Sequence, residues 1–555
     1  MVDIIRDSTI GQFINFVSDG KLLPYPEQRP DFVIPPRFLQ ANAPVSSEPI
    51  VSTLTDVKAK KEKALATVVE AIVVDDEDQH QTQADVDIVG WYSDDDPDNP
   101  KNWSSAKRAF VAFSITFMTF TSYVGSAIYT PSIPGLMANF NSSLPYTTLG
   151  LTLYVFGYGI GPMFLSPLQE LTHLGRNTIY MASLFLFIIF QIPTFTATNL
   201  PTILGFRFVT GFFCSPALAT GGASMSDMYP MHQLAYVIGI WAQGVNAGPI
   251  IGPVIGGFAA MKMGWQWPEY ELIWLTAFSF VFLMLLLPET YGPTILHRRA
   301  QRLRTLTGNL QLSSQGERDT EGQSLGETFK EAILRPFILA REPTLMFANI
   351  YLGFVYAIFY LWYEAFPLVF TDIYHFNLGE SGLPFIGFLV SSFISYIAYA
   401  LYQKYLFEPR SIRAISQGAQ LAPETRLEIG LIGSLCIPVS LFIFGFASRA
   451  NVHWIVPIIG ASFYIPGIFL NFQSILMYIS ISYPMYAASV LAANDLFRST
   501  IASVFPLFGR HFFVKLGLGP ASSLLAGISL VMMPVFWSLM KWGHVLRHRS
   551  KYASD

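Results

Sequence analysis

The chain is predicted to be an all-α membrane protein of about twelve helices in two six-helix halves, on three observations. Its 555 residues are 52% hydrophobic and only 13% charged, where a soluble domain carries roughly 25% charge. Apolar runs of about 20 residues, the length a helix needs to cross a hydrocarbon core of roughly 30 Å, recur along the chain. A hydrophilic stretch from Tyr291 to Pro343 divides these runs into two sets. They are too long and too uniformly apolar for the alternating strands of a membrane barrel.

In chain order, residues 1–107 form a polar tail with acidic clusters at Asp75 to Asp78 and Asp94 to Asp96. No secretory signal precedes the first apolar run, which is expected to act as an internal insertion signal. The first set of runs covers 108–129, 147–168, 178–197, 203–226, 234–258 and 272–288, within a bundle at 108–290. A linker at 291–343 follows. The second set covers 345–371, 382–402, 429–448, 453–480, 485–509 and 518–540, within a bundle at 344–541, and a short tail closes the chain at 542–555. Cys214 and Cys436 lie inside apolar runs and read as small core residues rather than a disulfide or metal pair. The net charge of −4 averages a solvated part and a lipid-dissolved part and identifies no partner.

Lysine and arginine set the orientation. The linker carries Arg298, Arg299, Arg302, Arg304, Arg318, Lys330, Arg335 and Arg341, and the C-terminal end carries Lys541, Arg547, Arg549 and Lys551. The loops on the other side hold only Lys262, Arg449, Arg510 and Lys515. Both termini are therefore expected in the cytoplasm. The triplet Asn141-Ser142-Ser143 falls in the first outside loop, which makes Asn141 a glycosylation candidate, whereas Asn102-Trp103-Ser104 would face the cytosol and stay unmodified.

Two six-helix halves joined by a charged loop are the pattern of transporters with internal pseudo-symmetry. In the fifth run Gly244, Gly248, Gly252 and Gly256 recur every four residues and line one helix face. Such a face lets another helix approach closely, and Pro249 and Pro253 free backbone carbonyls and bend the helix. Arg207 lies inside the fourth run, where an unpartnered charge costs at least about 2.5 kcal/mol, so it must face a cavity or a partner. Between the second and third runs, Gly161 to Glu170 leads through four residues to Gly175-Arg176. Glu170 can pair with a neighbouring helix or its dipole there and hold the inner side shut.

That loop resembles the signature loop of the major facilitator superfamily, although four residues separate Glu170 from Gly175 where two are usual. The stretch Leu204 to Gly211 resembles the superfamily's fourth-helix motif, whose arginine is associated with proton coupling. The string Gly244 to Gly257 is similar to the motif that marks antiporters. Further matches narrow the group: Asp94 to Trp103, Gly125 to Pro131, Phe213 to Ala223, Pro288-Glu289-Thr290-Tyr291, His297 to Arg304 and Ala493 to Ser499. Over essentially its whole length the chain resembles fungal twelve-helix drug:proton antiporters of the yeast benomyl, methotrexate and fluconazole resistance type. One departure is Gln266, between Trp265 and Trp267, where that family usually has arginine.

The resemblance implies two pseudo-symmetric six-helix bundles and export of hydrophobic or amphipathic xenobiotics across the plasma membrane in exchange for protons. It implies proton coupling at Arg207, a cytoplasmic gate at Glu170, Gly175, Arg176 and Asp227, and the antiporter motif at Gly244, Gly248, Pro249, Gly252, Pro253 and Gly256. Arginine hardly deprotonates, so Arg207 would act by tuning a nearby carboxylate or holding a polar network. Intramembrane polar and aromatic residues supply cavity candidates: Tyr356, Phe359, Tyr360 and Glu364 in the seventh run, and Asn494, Asp495 and Arg498 in the eleventh. Asp495 and Arg498 are also spaced to neutralise each other on one helix face. Asp227 and Glu289 fall at helix ends, as gate or capping groups do.

No metal-ligand spacing, nucleophile elbow or paired histidine cluster occurs at membrane depth, so no enzyme, metal or cofactor is expected, and the proton gradient would drive transport. The expected partners are small-molecule drugs, protons and the lipid bilayer, with no nucleic acid, and the protein is expected to be a monomer. Two other readings stay open. A polyamine or other defined-solute antiporter would need several acidic cavity residues, and a non-transporting sensor would bind ligand without proton-linked flux.

Overall fold

The computed structural model describes residues 2–18, 20–29, 88–320, 325–418 and 421–553, together with 32, 34, 35 and 38. The acidic run Asp75 to Asp78 lies outside the described residues. Long apolar helices dominate because a bilayer offers no partner for backbone N–H and C=O groups, which must then be satisfied within each segment.

The long helices are α1 (Ser105–Ala127), α2 (Leu144–Gln169), α3 (Gly175–Thr196), α4 (Leu200–Ala219), α5 (Met231–Met263) and α6 (Trp267–Leu286) in the first half. The second half comprises α7 (Pro343–Phe366), α8 (Ile386–Tyr402), α9 (Leu427–Ala447), α10 (Tyr464–Ser482), α11 (Ala487–Leu516) and α12 (Leu518–Arg549). Among the described residues, 11 helices are long and apolar enough to cross a membrane, one fewer than the twelve runs expected. The remaining one is α11, whose 30 residues carry Asp495, Arg498, Arg510 and Lys515. At 1.5 Å per residue it is about 45 Å long, ample for the crossing. Cys214 is buried, Cys436 half-buried, and both are free thiols.

Helix contacts repeat between the halves. α1 packs along α5 as α7 packs along α11, and α2 packs on α11 as α8 packs on α5. A shift of six helices maps each contact onto its counterpart, so the pseudo-symmetry expected from hydropathy is present in the packing. Glycines on α5 set the α1 contact. A Cβ at Gly248 would stand 2.6 Å from Tyr123 Cβ and 2.9 Å from the backbone O of Phe120, and one at Gly244 would stand 2.7 Å from Thr116 O. Gly252 and Gly256 meet the backbone of Ile128 in the same way. The four-residue glycine repeat is thus a backbone-to-backbone seam.

The described polar segments near both ends of the chain are packed and paired. A basic helix at Gly292–Thr307 follows α6, and the described N-terminal segments at Pro26–Gln28 and Ile88–Val89 pack on it. Ile88–Val89 pairs in parallel with Ser313–Ser314. Arg299, buried in this cap, reaches Asp96 at 2.7 Å, Asp98 at 2.7 Å and Glu27 at 3.2 Å. Arg302 takes the second oxygen of Glu27 at 3.1 Å. Burial raises the proton affinity of Asp96, but its hydrogen bonds to Arg299 and to backbone N–H groups outweigh that and hold it below its ordinary value. The acidic motif before α1 and the basic motif after α6 are therefore the two halves of one ionic cap. At the C-terminus, Arg547 on α12 closes a bidentate pair with Glu424, 2.9 and 3.2 Å.

Candidate functional site

Three of the polar clusters formed by the described residues gather the candidate residues. The first surrounds Arg207, which is fully buried on α4. Its Nη2 donates to the carbonyl of Gly125 at 2.8 Å and its Nε to that of Gly150 at 3.2 Å. Both carbonyls come close because their residues lack side chains: a Cβ at Gly125 would strike the Tyr154 hydroxyl, and one at Gly150 the Tyr129 ring. The guanidinium lies over both rings, 4.7 Å from the centroid of Tyr129 and 4.4 Å from that of Tyr154. The remaining amine, Nη1, faces Glu269 Oε1 across 3.7 Å. Among the described residues, neither atom has a hydrogen-bond partner. The other oxygen of Glu269 accepts from Gln191 and from Thr194 on α3.

Glu269 received no role from the sequence, because the apolar run there begins at 272. In the structure α6 starts at Trp267, with Pro268 in its first turn, and carries Glu269 into the bundle at 2% exposure. An acid three residues outside an apolar run and a buried arginine without an obvious partner were the available signal. Gln266, the departure from the family pattern, donates to the Phe195 carbonyl at 3.2 Å on the same edge of the cluster.

The second cluster lies where the two halves meet. Tyr158 on α2 shares its hydroxyl with Tyr356 at 2.6 Å and Tyr360 at 2.9 Å, both on α7. Arg498 on α11 pairs with Asp495 at 2.5 Å, one helical turn away, and stands over the rings of Tyr356 and Phe472. Phe359 stacks against Tyr356, and Asn494 donates to Asn349 at 3.0 Å. Six of the seven cavity candidates thus collect around one buried aromatic and ionic core. Glu364 stands apart, buried where α7 packs on Gly509 of α11. Tyr363 links this core to α5: its hydroxyl donates at 2.9 Å to the carbonyl of Pro249. That carbonyl has no helical donor, because Pro253, four residues on, lacks an N–H.

The third cluster closes the end of the bundle that bears the cap. Arg176 pairs with Asp227 through contacts of 2.6 and 3.3 Å. Glu289 accepts from the backbone N–H groups of Arg176 and Asn177, each at 3.2 Å, and so caps the N-terminus of α3. Gly175 is required twice over. Its φ of +74° is left-handed, and a Cβ would stand 2.5 Å from a Glu289 oxygen. Glu170 is exposed just beyond α2, where its backbone N–H donates to the Pro167 carbonyl at 3.2 Å, and among the described residues its side chain makes no hydrogen bond. Asp227 and Glu289 make the direct contacts that hold Arg176 and the start of α3, and the Glu170 carboxylate lies within electrostatic reach of Arg176. At the opposite end Asn141 is exposed in a left-handed turn after the helix Ile133–Phe140.

Comparison with known proteins agrees with this architecture. The family model described as Major Facilitator Superfamily matches residues 115–506. The chain is 37% identical to the cycloheximide resistance protein of Candida maltosa, over 100% of both chains. It is 34% identical to the probable drug/proton antiporter YHK8 of Saccharomyces cerevisiae, covering 87% of this chain and 91% of that one. Among solved structures it superposes on the xylose transporter XylE of E. coli in a partially occluded inward-open form, with a TM-score of 0.56 at 14% identity. That match covers 78% of this chain and 98% of the other, and speaks to the fold alone.

Proposed function

This chain belongs to the Major Facilitator Superfamily, a family of membrane transporters rather than enzymes, and on that premise we propose that it exports hydrophobic and amphipathic xenobiotics in exchange for protons. The observation that carries the reading is the buried Arg207–Glu269 pair, whose facing atoms have no hydrogen-bond partner among the described residues. Arg207 stays charged and is held by two carbonyls and two rings in either state. Glu269 is the group that can change. Taking up a proton removes its attraction to Arg207, and losing the proton restores it, so occupancy of one carboxylate biases the packing of α4 against α6 and α3.

Substrate would contact the core of Tyr356, Phe359, Tyr360, Asn494, Asp495 and Arg498, with Glu364 farther along α7. Its aromatic surface suits bulky apolar molecules that need little directional matching. The core is closed in this structure, so the two halves must rock apart for passage. The Gly244 to Gly256 seam, with Pro249 and Pro253, would hold α5 against α1 through that motion, while Arg176, Asp227, Gly175 and Glu170 would form the cytoplasmic gate. In this reading both termini, the cap and the linker face the cytoplasm, the bundles span 108–290 and 344–541, the protein works as a monomer in the plasma membrane, and the proton gradient replaces any cofactor. Neutralisation of Asp495 by Arg498 disfavours a polycation as cargo.

Growth of a pump-deleted yeast expressing the chain, on a panel of antifungals, polyamines and weak acids, tests this reading. Resistance confined to apolar and amphipathic compounds supports it. Resistance to polyamines alone would reassign the cargo, and ligand binding without any resistance would point to a sensor.

A further inference from the structure

We propose that the N-terminal helix Thr9–Val17 lies on the membrane surface, with lipid as the partner of its outward face. The helix is amphipathic in the inverted sense. At 100° per residue, Ile10, Phe13, Phe16 and Val17 share one arc, while Gly11, Gln12 and Asn15 occupy the other. In a soluble domain the apolar arc would turn inward. Here Gly11 and Asn15 are buried, and Phe13, Phe16 and Val17 are 62%, 83% and 67% exposed.

The inward orientation of the polar side is fixed by hydrogen bonds. Asn15 donates to the carbonyl of Leu23 at 2.9 Å and to Gln28 at 2.8 Å, and Gln12 donates to the carbonyl of Asp7 at 3.0 Å. The exposed aromatics therefore cannot be buried by rolling the helix over. Leu22, just beyond the helix, is also 62% exposed and lies next to exposed Lys21. A contiguous patch of this kind marks an interaction site.

Its position selects the occupant. Ser8, at the start of the helix, bridges to Pro288 immediately after α6, and the helix packs against α6 itself. Along α6, Trp274, Phe278, Val281 and Leu285 form an exposed stripe at helical spacing, which is the surface that meets hydrocarbon. The N-terminal helix packs on α6, and the Ser8–Pro288 bridge sets it at the Leu285 end of that stripe. A short helix with aromatic residues on one face and a polar face held by protein is suited to the headgroup–acyl boundary. Pro288 adjoins Glu289, which caps α3, so the lipid contact is tied directly to the end of the bundle that Arg176 and Asp227 close.

Site-specific quenching in the reconstituted full-length protein tests the assignment. In a background with Cys214→Ser and Cys436→Ser, a fluorophore is placed at Phe16→Cys and, as a control on the exposed surface of the cap, at Gln311→Cys. Phe16 makes little packing contact, so its replacement leaves the fold intact. Lipids spin-labelled near the headgroup are expected to quench the label at position 16 at least about threefold more than the label at 311, and aqueous iodide to show the reverse order. Equal quenching at the two positions would overturn the proposal. So would label-to-label coupling at position 16 that rises with protein-to-lipid ratio, which would assign the face to a second copy of the chain.

Discussion

Replacing Glu269 by glutamine isolates the charge on which the proposed exchange rests. The substitution keeps the shape of the side chain and an oxygen for Gln191 and Thr194, and it removes the attraction to Arg207. Two unit charges 3.7 Å apart interact by about 4.5 kcal/mol at an effective dielectric constant of roughly 20. At about 1.4 kcal/mol per decade, that energy shifts a conformational equilibrium by about a thousandfold. Arg207 keeps its bonds to Gly125 and Gly150 and its two ring contacts, so the variant should fold. In proteoliposomes, E269Q should lose drug accumulation driven by a pH gradient by more than about tenfold, while drug-for-drug counterflow without a gradient persists. Gradient-driven accumulation at the wild-type level would refute the reasoning, because a permanently neutral residue 269 cannot couple to protons.

Three other perturbations test separate parts of the account. Gly248→Val places a side chain against Tyr123 and the backbone of Phe120 and Val124. Rigid backbone cannot yield, so a loss of about 1–3 kcal/mol is expected, read as a lower melting temperature of the purified protein; an unchanged melting temperature would show that the seam is loose. His297 meets His173 of the loop at 171–174 at 3.0 Å and pairs with Glu317 of the helix Gln315–Thr320 at 2.8 Å. Burial lowers its proton affinity below the ordinary imidazole value, against the pull of Glu317. The folded arrangement therefore binds protons less well than the opened one, and its stability falls as pH drops through about 6.5. Hydrogen exchange in 171–174 and 297–304, corrected for intrinsic rates, should accelerate between about pH 7.5 and about pH 6. Finally, Asn141→Gln should abolish any glycosidase-sensitive shift in gel mobility, and Asn102→Gln should leave it unchanged.

The bundle was legible because lipid imposes long apolar runs, whereas a break of the helix inside one crossing leaves no mark on hydropathy. The run at 203–226 is broken at Thr220 between α4 and the helix Gly221–Met228, and the run at 453–480 is broken at Phe463 between Ile455–Ser462 and α10. Pairing was the harder problem. The Arg207 cost is visible in one segment, but its partner sits on another helix, just beyond the edge of an apolar run. The same holds for the cap, whose acidic and basic motifs each read as solvated charge until Arg299 is seen among Asp96, Asp98 and Glu27. The glycine repeat of α5, by contrast, was readable from spacing alone, since close approach of two backbones requires just that periodicity. The Gly125 to Pro131 stretch was matched as a string; the structure gives it a physical reason, as the carbonyl and aromatic bed of Arg207.

Proton movement on addition of drug tests the central claim most directly. With the purified protein in liposomes, a trapped pH indicator, and an imposed pH gradient, adding an apolar drug substrate should start a proton flux that stops when Glu269 is replaced by glutamine. Drug movement with no accompanying proton flux, at any gradient, would contradict the account.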